Sequence, residues 1–142
     1  MVIRDCRESD FDMVLPLLRQ LWPDRLLEME ILRGVFHRAL AQESIGYYCA
    51  EEEGIIVGFF SLSTRESLYR QGRLAYLDEM VVEEGYRGRG VGAALLRHAE
   101  DMAREAGCNC LALDTAAHRA AAHRFYEREG YVRTGYAYEK EL

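Results

Sequence analysis

The chain has 142 residues, about half of them apolar, and its 18 basic and 24 acidic side chains leave a net charge of −6. That length suits one domain over residues 1–142 with room for a real core, and no apolar run approaches the ~20 residues of a membrane span. The acidic balance speaks against nucleic acid, whose phosphates call for a basic face, and leaves room for a cationic small molecule.

Met1–Asp5 does not read as a signal peptide, so a cytoplasmic location is expected. Cys6, Cys49, Cys108 and Cys110 are scattered, and Cys108-Asn109-Cys110 lacks metal-knuckle spacing. Reduced thiols and no metal are expected.

Val2 to Cys6 predicts a first strand. Ser9 is a plausible N-cap for a helix carrying Phe11, Val14, Leu15, Leu18 and Leu21 at helical spacing, with Pro16 inside it as a kink or a delayed start. After Trp22-Pro23, a second amphipathic helix has Leu27, Ile31, Val35 and Ala39 beside Leu32, Phe36 and Leu40. Ile45–Glu52 and Ile55–Thr64 form a hairpin about Glu53-Gly54. Leu74 to Val82 is a strand apolar on both faces and therefore central. A long helix follows, with Val91, Leu95, His98, Ala99 and Met102 on its apolar stripe, then a short strand at Leu111–Thr115. His118 to Glu129 reads as a last helix burying Ala121, Ala122, Phe125 and Tyr126, and Tyr131–Leu142 as extended chain with one or two strands.

Between the central strand and the long helix lies Arg87-Gly88-Arg89-Gly90-Val91-Gly92. Glycines let amides turn toward one point, and the first turn of a helix offers unpaired N–H groups. Together they suit a phosphate anion. A Walker A loop would need Lys-Ser/Thr where Ala93-Ala94 stands. A dinucleotide fingerprint fits as Gly88, Gly90 and Ala93 with Asp114 downstream. That fold, however, puts its loop after the first strand of an alternating series, whereas here it follows a three-strand antiparallel run.

The remaining pattern, Arg-x-x-Gly-x-Gly at Arg87, Gly90 and Gly92, resembles the acyl-CoA pyrophosphate loop of the GNAT superfamily of N-acetyltransferases. A second signature, Ala122-x-x-Phe125-Tyr126-Glu127-x-x-Gly130-Tyr131, follows at the right spacing. The resemblance covers essentially the whole chain. It implies an α/β fold with about four helices and a mixed sheet of six to seven strands, splayed beside the loop helix. It implies acetyl-CoA as co-substrate and a small-molecule amine as acceptor, and it extends to a homodimer, since dimers are common in the family. By resemblance, Met80, Val81 and Val82 lie along the pantetheine arm, and Arg87, Gly88, Arg89, Gly90, Val91 and Gly92 hold the pyrophosphate. Ala116-Ala117-His118-Arg119 stands where many members carry an Asn that helps hold the CoA arm, and that contact is left unassigned. Arg19-Gln20-Leu21-Trp22-Pro23 and Asp114-Thr115 are similar to segments of aminoglycoside 6′-acetyltransferases, and the Asp78-Glu79 pair is similar to one in diamine and polyamine acetyltransferases.

An acceptor amine with a pKa near ~10.4 must lose a proton before it attacks. Asp78 matches the usual base position of the family and is favoured, with Glu79 second; by period two Asp78 shares a face with Tyr76, Met80 and Val82, and Glu79 takes the other. The plainer alternative makes both carboxylates structural. Tyr126 matches the family tyrosine that protonates the departing thiolate, against the alternative of a core aromatic. Asp114 either meets the acceptor or caps the following helix. His98 is expected in the core; His37, His118 and His123 are expected at the surface. Two competing functions remain, a catalytically inactive acyl-CoA-binding sensor of the same fold and a dinucleotide-binding oxidoreductase. The acceptor favoured is a primary amine on a polycationic molecule.

Overall fold

The computed structural model describes residues 1–142, which form two compact units, Met1–Ala112 and Leu113–Leu142. In the first, β1 (Val2–Asp5), β2 (Ile45–Glu52), β3 (Ile55–Ser67) and β4 (Gly72–Val82) lie side by side in chain order, each antiparallel to the next. β5 (Cys108–Leu113) stands beside β4 and is reached through helix α3 (Val91–Glu105). A helical crossover of this kind returns the chain parallel, which makes the sheet mixed. The hairpin expected at Glu53-Gly54 is present. Both residues have positive φ, 50° and 79°, the backbone that a two-residue turn needs to match strand twist.

Register assigns the faces. Tyr47, Phe59 and Val81 point toward α1 (Phe11–Leu21) and α2 (Met29–Leu40) and pack with Phe11, Leu17, Leu18 and Phe36. Tyr48, Phe60 and Leu62 point to the opposite face, where α3 buries Leu95, Leu96, Ala99 and Ala103. There His98 stacks edge-on to Tyr48, as its apolar stripe suggested. Gly58 lets α3 come close. A Cβ built at that position would meet Leu95 Cδ1 at 2.9 Å and Val91 Cγ1 at 3.5 Å.

Three local expectations change. Ser9 does not cap α1, since a short 3-10 turn over Glu8–Asp10 precedes it and Asp10 takes the N-cap position, its side chain closing that turn rather than capping α1. The Asp10 carboxylate accepts from the Arg7 amide at 2.7 Å and from both Arg4 terminal nitrogens at 2.8 and 3.0 Å. The Arg4 guanidinium, hydrogen-bonded to it, holds the Asp10 carboxyl below the usual range. Pro16 sits on the exposed side of α1, and the helix runs through it. In α2 the Leu32–Phe36–Leu40 row and Ala39 meet the core, while Ile31 and Val35 of the second row face outward, because a helix lying on a sheet buries one stripe.

The sheet has five strands rather than six to seven. Tyr131–Leu142 carries no strand, and Val132, Tyr136 and Tyr138 are largely exposed. Strand propensity mostly reflects packing on a half-buried pleat, and these side chains have none. The second unit holds α4 (Ala120–Arg128), whose Ala122, Phe125 and Tyr126 are half-buried while Ala121 is exposed. With α4 the helices number four, as expected.

Candidate active site

The centre of the site is an irregularity in β4. Leu62 opposes Leu77 and Ser61 opposes Glu79, so Asp78 is the extra residue of a β-bulge. The bulge reverses the predicted faces. Tyr76, Glu79 and Val81 share the α1/α2 face, while Leu77 and Met80 turn toward α3. Simple alternation therefore misplaced Asp78, which is exposed, whereas Glu79 is half-buried.

Glu79 is gripped by one hydroxyl. Its backbone N–H donates to Ser61 Oγ at 3.1 Å, and Ser61 Oγ donates to Glu79 Oε1 at 2.5 Å. Ser61 is only 1% exposed and lies opposite both Glu79 on β4 and Tyr47 on β2, which puts the three side chains in one row on one face. Burial pushes the Glu79 carboxyl upward, the Ser61 hydroxyl pulls it back, and the Asp78 charge adds to the rise. The Tyr47 phenol is pushed up to about 12 by burial and then by the nearby carboxylates of Glu79 and Asp78. Such a carboxylate, desolvated yet hydrogen-bonded, can serve as a general base.

β4 ends at Val82 and the chain turns through Glu83–Tyr86 into the glycine loop. Gln20 of α1 braces that turn, donating to Glu83 Oε1 and accepting from the Glu84 N–H, both at 3.1 Å. Arg87 Nε donates to the Val82 carbonyl at 3.1 Å, so this side chain ties the loop back to the strand. Gly88 and Gly90 have φ of +78° and +83°, and a Cβ at either would project into open space. Gly90 is the N-cap of α3 and contributes no side-chain cap to it. The result is an open cradle of backbone amides at the positive end of a 15-residue helix, which fits a phosphate group. Arg89 lies over the Tyr86 ring at 5.1 Å. Val91 is buried and Gly92 continues α3, so within the loop the exposed positions run from Arg87 to Gly90.

In the second unit, Tyr126 packs edge-on against Phe125 and Tyr131, with centroids 5.1 and 5.9 Å away. Burial raises its phenol above the usual value, and the nearby Arg119 charge opposes the rise. Asp114 is exposed and does not cap α4, which starts six residues later. His118 is exposed, His37 pairs with Glu8 at the surface, and the half-buried His123 meets the Ala116 carbonyl at 2.9 Å.

Sequence reasoning missed Ser61 and Tyr47, and named Gln20 only as part of the Arg19–Pro23 segment, without its contact to the turn before the loop. A lone hydroxyl inside the buried run Phe59-Phe60-Ser61-Leu62 was the available signal, since a buried polar group must find a partner. It also missed that Cys6, Asp10 and Cys49 converge, with candidate ligand atoms within 4.8 Å of one another. Both Asp10 oxygens are already taken by Arg4, and hydrogen bonding to Cys49 together with burial holds the Cys6 thiol well above the usual range. The trio is built around an ion pair.

The sequence profile of the Acetyltransferase (GNAT) family matches residues 11–131. An aminoalkylphosphonate N-acetyltransferase of Salmonella typhimurium is 33% identical over 113 residues, covering 80% of this chain and 73% of that protein. A glucosamine 6-phosphate N-acetyltransferase of Trypanosoma brucei brucei is 31% identical over 117 residues, covering 80% and 78%. Among solved structures, a candidate acetyltransferase from Agrobacterium tumefaciens str. C58 superposes with a TM-score of 0.89 at 30% identity over 100% of both chains. The open amide cradle and the carboxylate strand leading into it are thus found in a chain that belongs to the Acetyltransferase (GNAT) family, and it is an acetyl-CoA-dependent N-acetyltransferase.

Proposed function

We propose that the chain moves acetyl from acetyl-CoA to a primary amine of a small polycationic acceptor by direct attack in a ternary complex, with Glu79 as base. The observation that supports this most is the half-buried Glu79 carboxylate, held by Ser61 on the strand that runs into the open loop at Arg87–Gly92. Bound acetyl-CoA supplies the thioester carbon to be attacked. Glu79 takes the proton of the acceptor ammonium. The backbone beside Met80 and Val82 lines the acyl arm, and an amide near Met80 donates to the oxygen that gains charge. Amides of Gly88 and Gly90 and the first turn of α3 hold the pyrophosphate. Tyr126 gives its phenol proton to the departing sulfur. Asp78, exposed beside Glu79, offers a second acidic group for a second positive charge on the acceptor.

The test compares kcat/KM for a diamine and for a neutral-tailed monoamine of equal length, at low and high salt. A several-fold preference for the diamine that shrinks with salt is expected, since exposed charges are screened. Equal values with no salt effect would refute the polycationic acceptor. For the base, kcat/KM should rise with pH through one ionisation that Glu79→Gln abolishes and Asp78→Asn leaves in place.

A further inference from the structure

Ser61 has so far figured only as the group that holds Glu79, yet its surroundings single it out. It is 1% exposed, within a strand whose neighbours Phe59, Phe60 and Leu62 are all buried and apolar. Packing alone would be served by alanine or valine there. We propose that Ser61 is a positioning residue for acetyl transfer, taking Oε1 of Glu79 and so presenting Oε2 to the acceptor amine. This rests on the reading of Glu79 as the base.

The geometry leaves the hydroxyl little choice. Ser61 Oγ accepts the Glu79 N–H at 3.1 Å, which directs its single proton to Glu79 Oε1 at 2.5 Å. A hydroxyl has one proton to give, and here a carboxylate receives it. The two bonds close a ring through the Glu79 side chain and remove the torsional freedom that would let its carboxylate swing away. The bulge makes this ring possible, because at this step the Glu79 amide meets a side chain of β3. In the proton transfer, the acceptor N–H bond breaks, its electron pair stays on nitrogen, and the proton passes to Oε2 while Oε1 stays on Ser61.

The same bond affects when Glu79 is charged. The groups facing it are Tyr47 from β2, Ser61 from β3 and Asp78 on its own strand; α1 meets this face through the apolar Val14, Leu17 and Leu18. Burial and Asp78 both favour the protonated acid, which cannot act as a base. The Ser61 hydroxyl is the group among these that donates to the carboxylate and favours its charged form.

The experiment uses the full chain as wild type, Ser61→Ala, Ser61→Thr and Glu79→Gln. The Glu79 carboxyl is titrated directly by NMR with 13C-labelled glutamate, its signal assigned as the one lost in Glu79→Gln, and kcat/KM is measured against pH. Loss of one hydrogen bond to a charged group should raise the Ser61→Ala titration by about one to two pH units, with the kinetic limb moving by the same amount. Ser61→Thr, which keeps the hydroxyl, should restore both. If Ser61→Ala does not fold, the nearly isosteric Ser61→Cys, a weaker donor, is read in the same way. An unmoved Glu79 titration in a folded variant overturns the proposal. So does a titration that moves while the kinetic limb stays, which would make Ser61 merely structural. A limb that survives Glu79→Gln refutes the base reading itself, and with it any catalytic role for Ser61.

Discussion

Gly90→Val separates the cradle from the fold. Gly90 has φ +83°, and a Cβ there would touch nothing in the protein. The folding cost is therefore backbone strain, roughly 1–2 kcal/mol for an L-residue in the left-handed region. Against a typical stability of ~5–15 kcal/mol the chain should remain folded, with Tm lowered by about 3–10 °C. The effect on binding should be larger, because the new side chain projects into the space where the phosphate would lie. Losing two charge-assisted N–H bonds, each contributing roughly 1.5–3 kcal/mol, would weaken CoA binding by about 10²–10⁴-fold. Gly54→Val is the control. Gly54 has φ +79° and equally open surroundings, but it lies in the β2–β3 turn. Calorimetric titration with CoA should show near-normal affinity for Gly54→Val and almost none for Gly90→Val. Unchanged affinity in folded Gly90→Val, or equal loss in both variants, would refute the assignment of the loop.

Tyr126→Phe removes only the phenol hydroxyl and should lower kcat by roughly 10²–10⁴ with little change in acetyl-CoA binding; steady-state kinetics giving a wild-type kcat would return Tyr126 to a packing role. Asp10→Asn should cost about 3 kcal/mol in urea unfolding, because it leaves the Arg4 guanidinium without its principal partner in a place where the aspartate is 3% exposed. Arg4 depresses the Asp10 pKa in the folded state, so this pair's contribution is complete above the unfolded value of ~3.9 and fades as pH falls through the folded one. The variant should therefore lose stability less steeply with acid over that interval, as unfolding measured at several pH values would reveal.

The helices and strands that bury one clear stripe were legible because their periodicity is local. Leu95–Ala99–Ala103 on α3 and the Glu53-Gly54 hairpin came out as expected. The loop was legible too, since glycines at positive φ announce themselves in sequence. The faces of Asp78 and Glu79 were not, because one extra residue in β4 inverts every side chain beyond it and no local pattern marks where it is inserted. The contacts of Ser61 with Glu79 and of Gln20 with Glu83 bridge 18 and 63 residues, distances that only the sheet pairing and the packing of α1 resolve. The tail past Gly130 was misread for a related reason. Its tyrosines and valine favour strands only where there is something to pack against.

The Gln20 amide also has a mechanical meaning. A planar group that donates at one end and accepts at the other works as a two-point hinge pin between the last turns of α1 and the peptide that feeds the loop. The turn cannot swing clear of the helix without breaking both bonds together. A ligand that displaced the end of α1 would therefore pull on the amides of the cradle. By reciprocity of linked equilibria, a ligand seated in the cradle would resist that displacement by the same free energy.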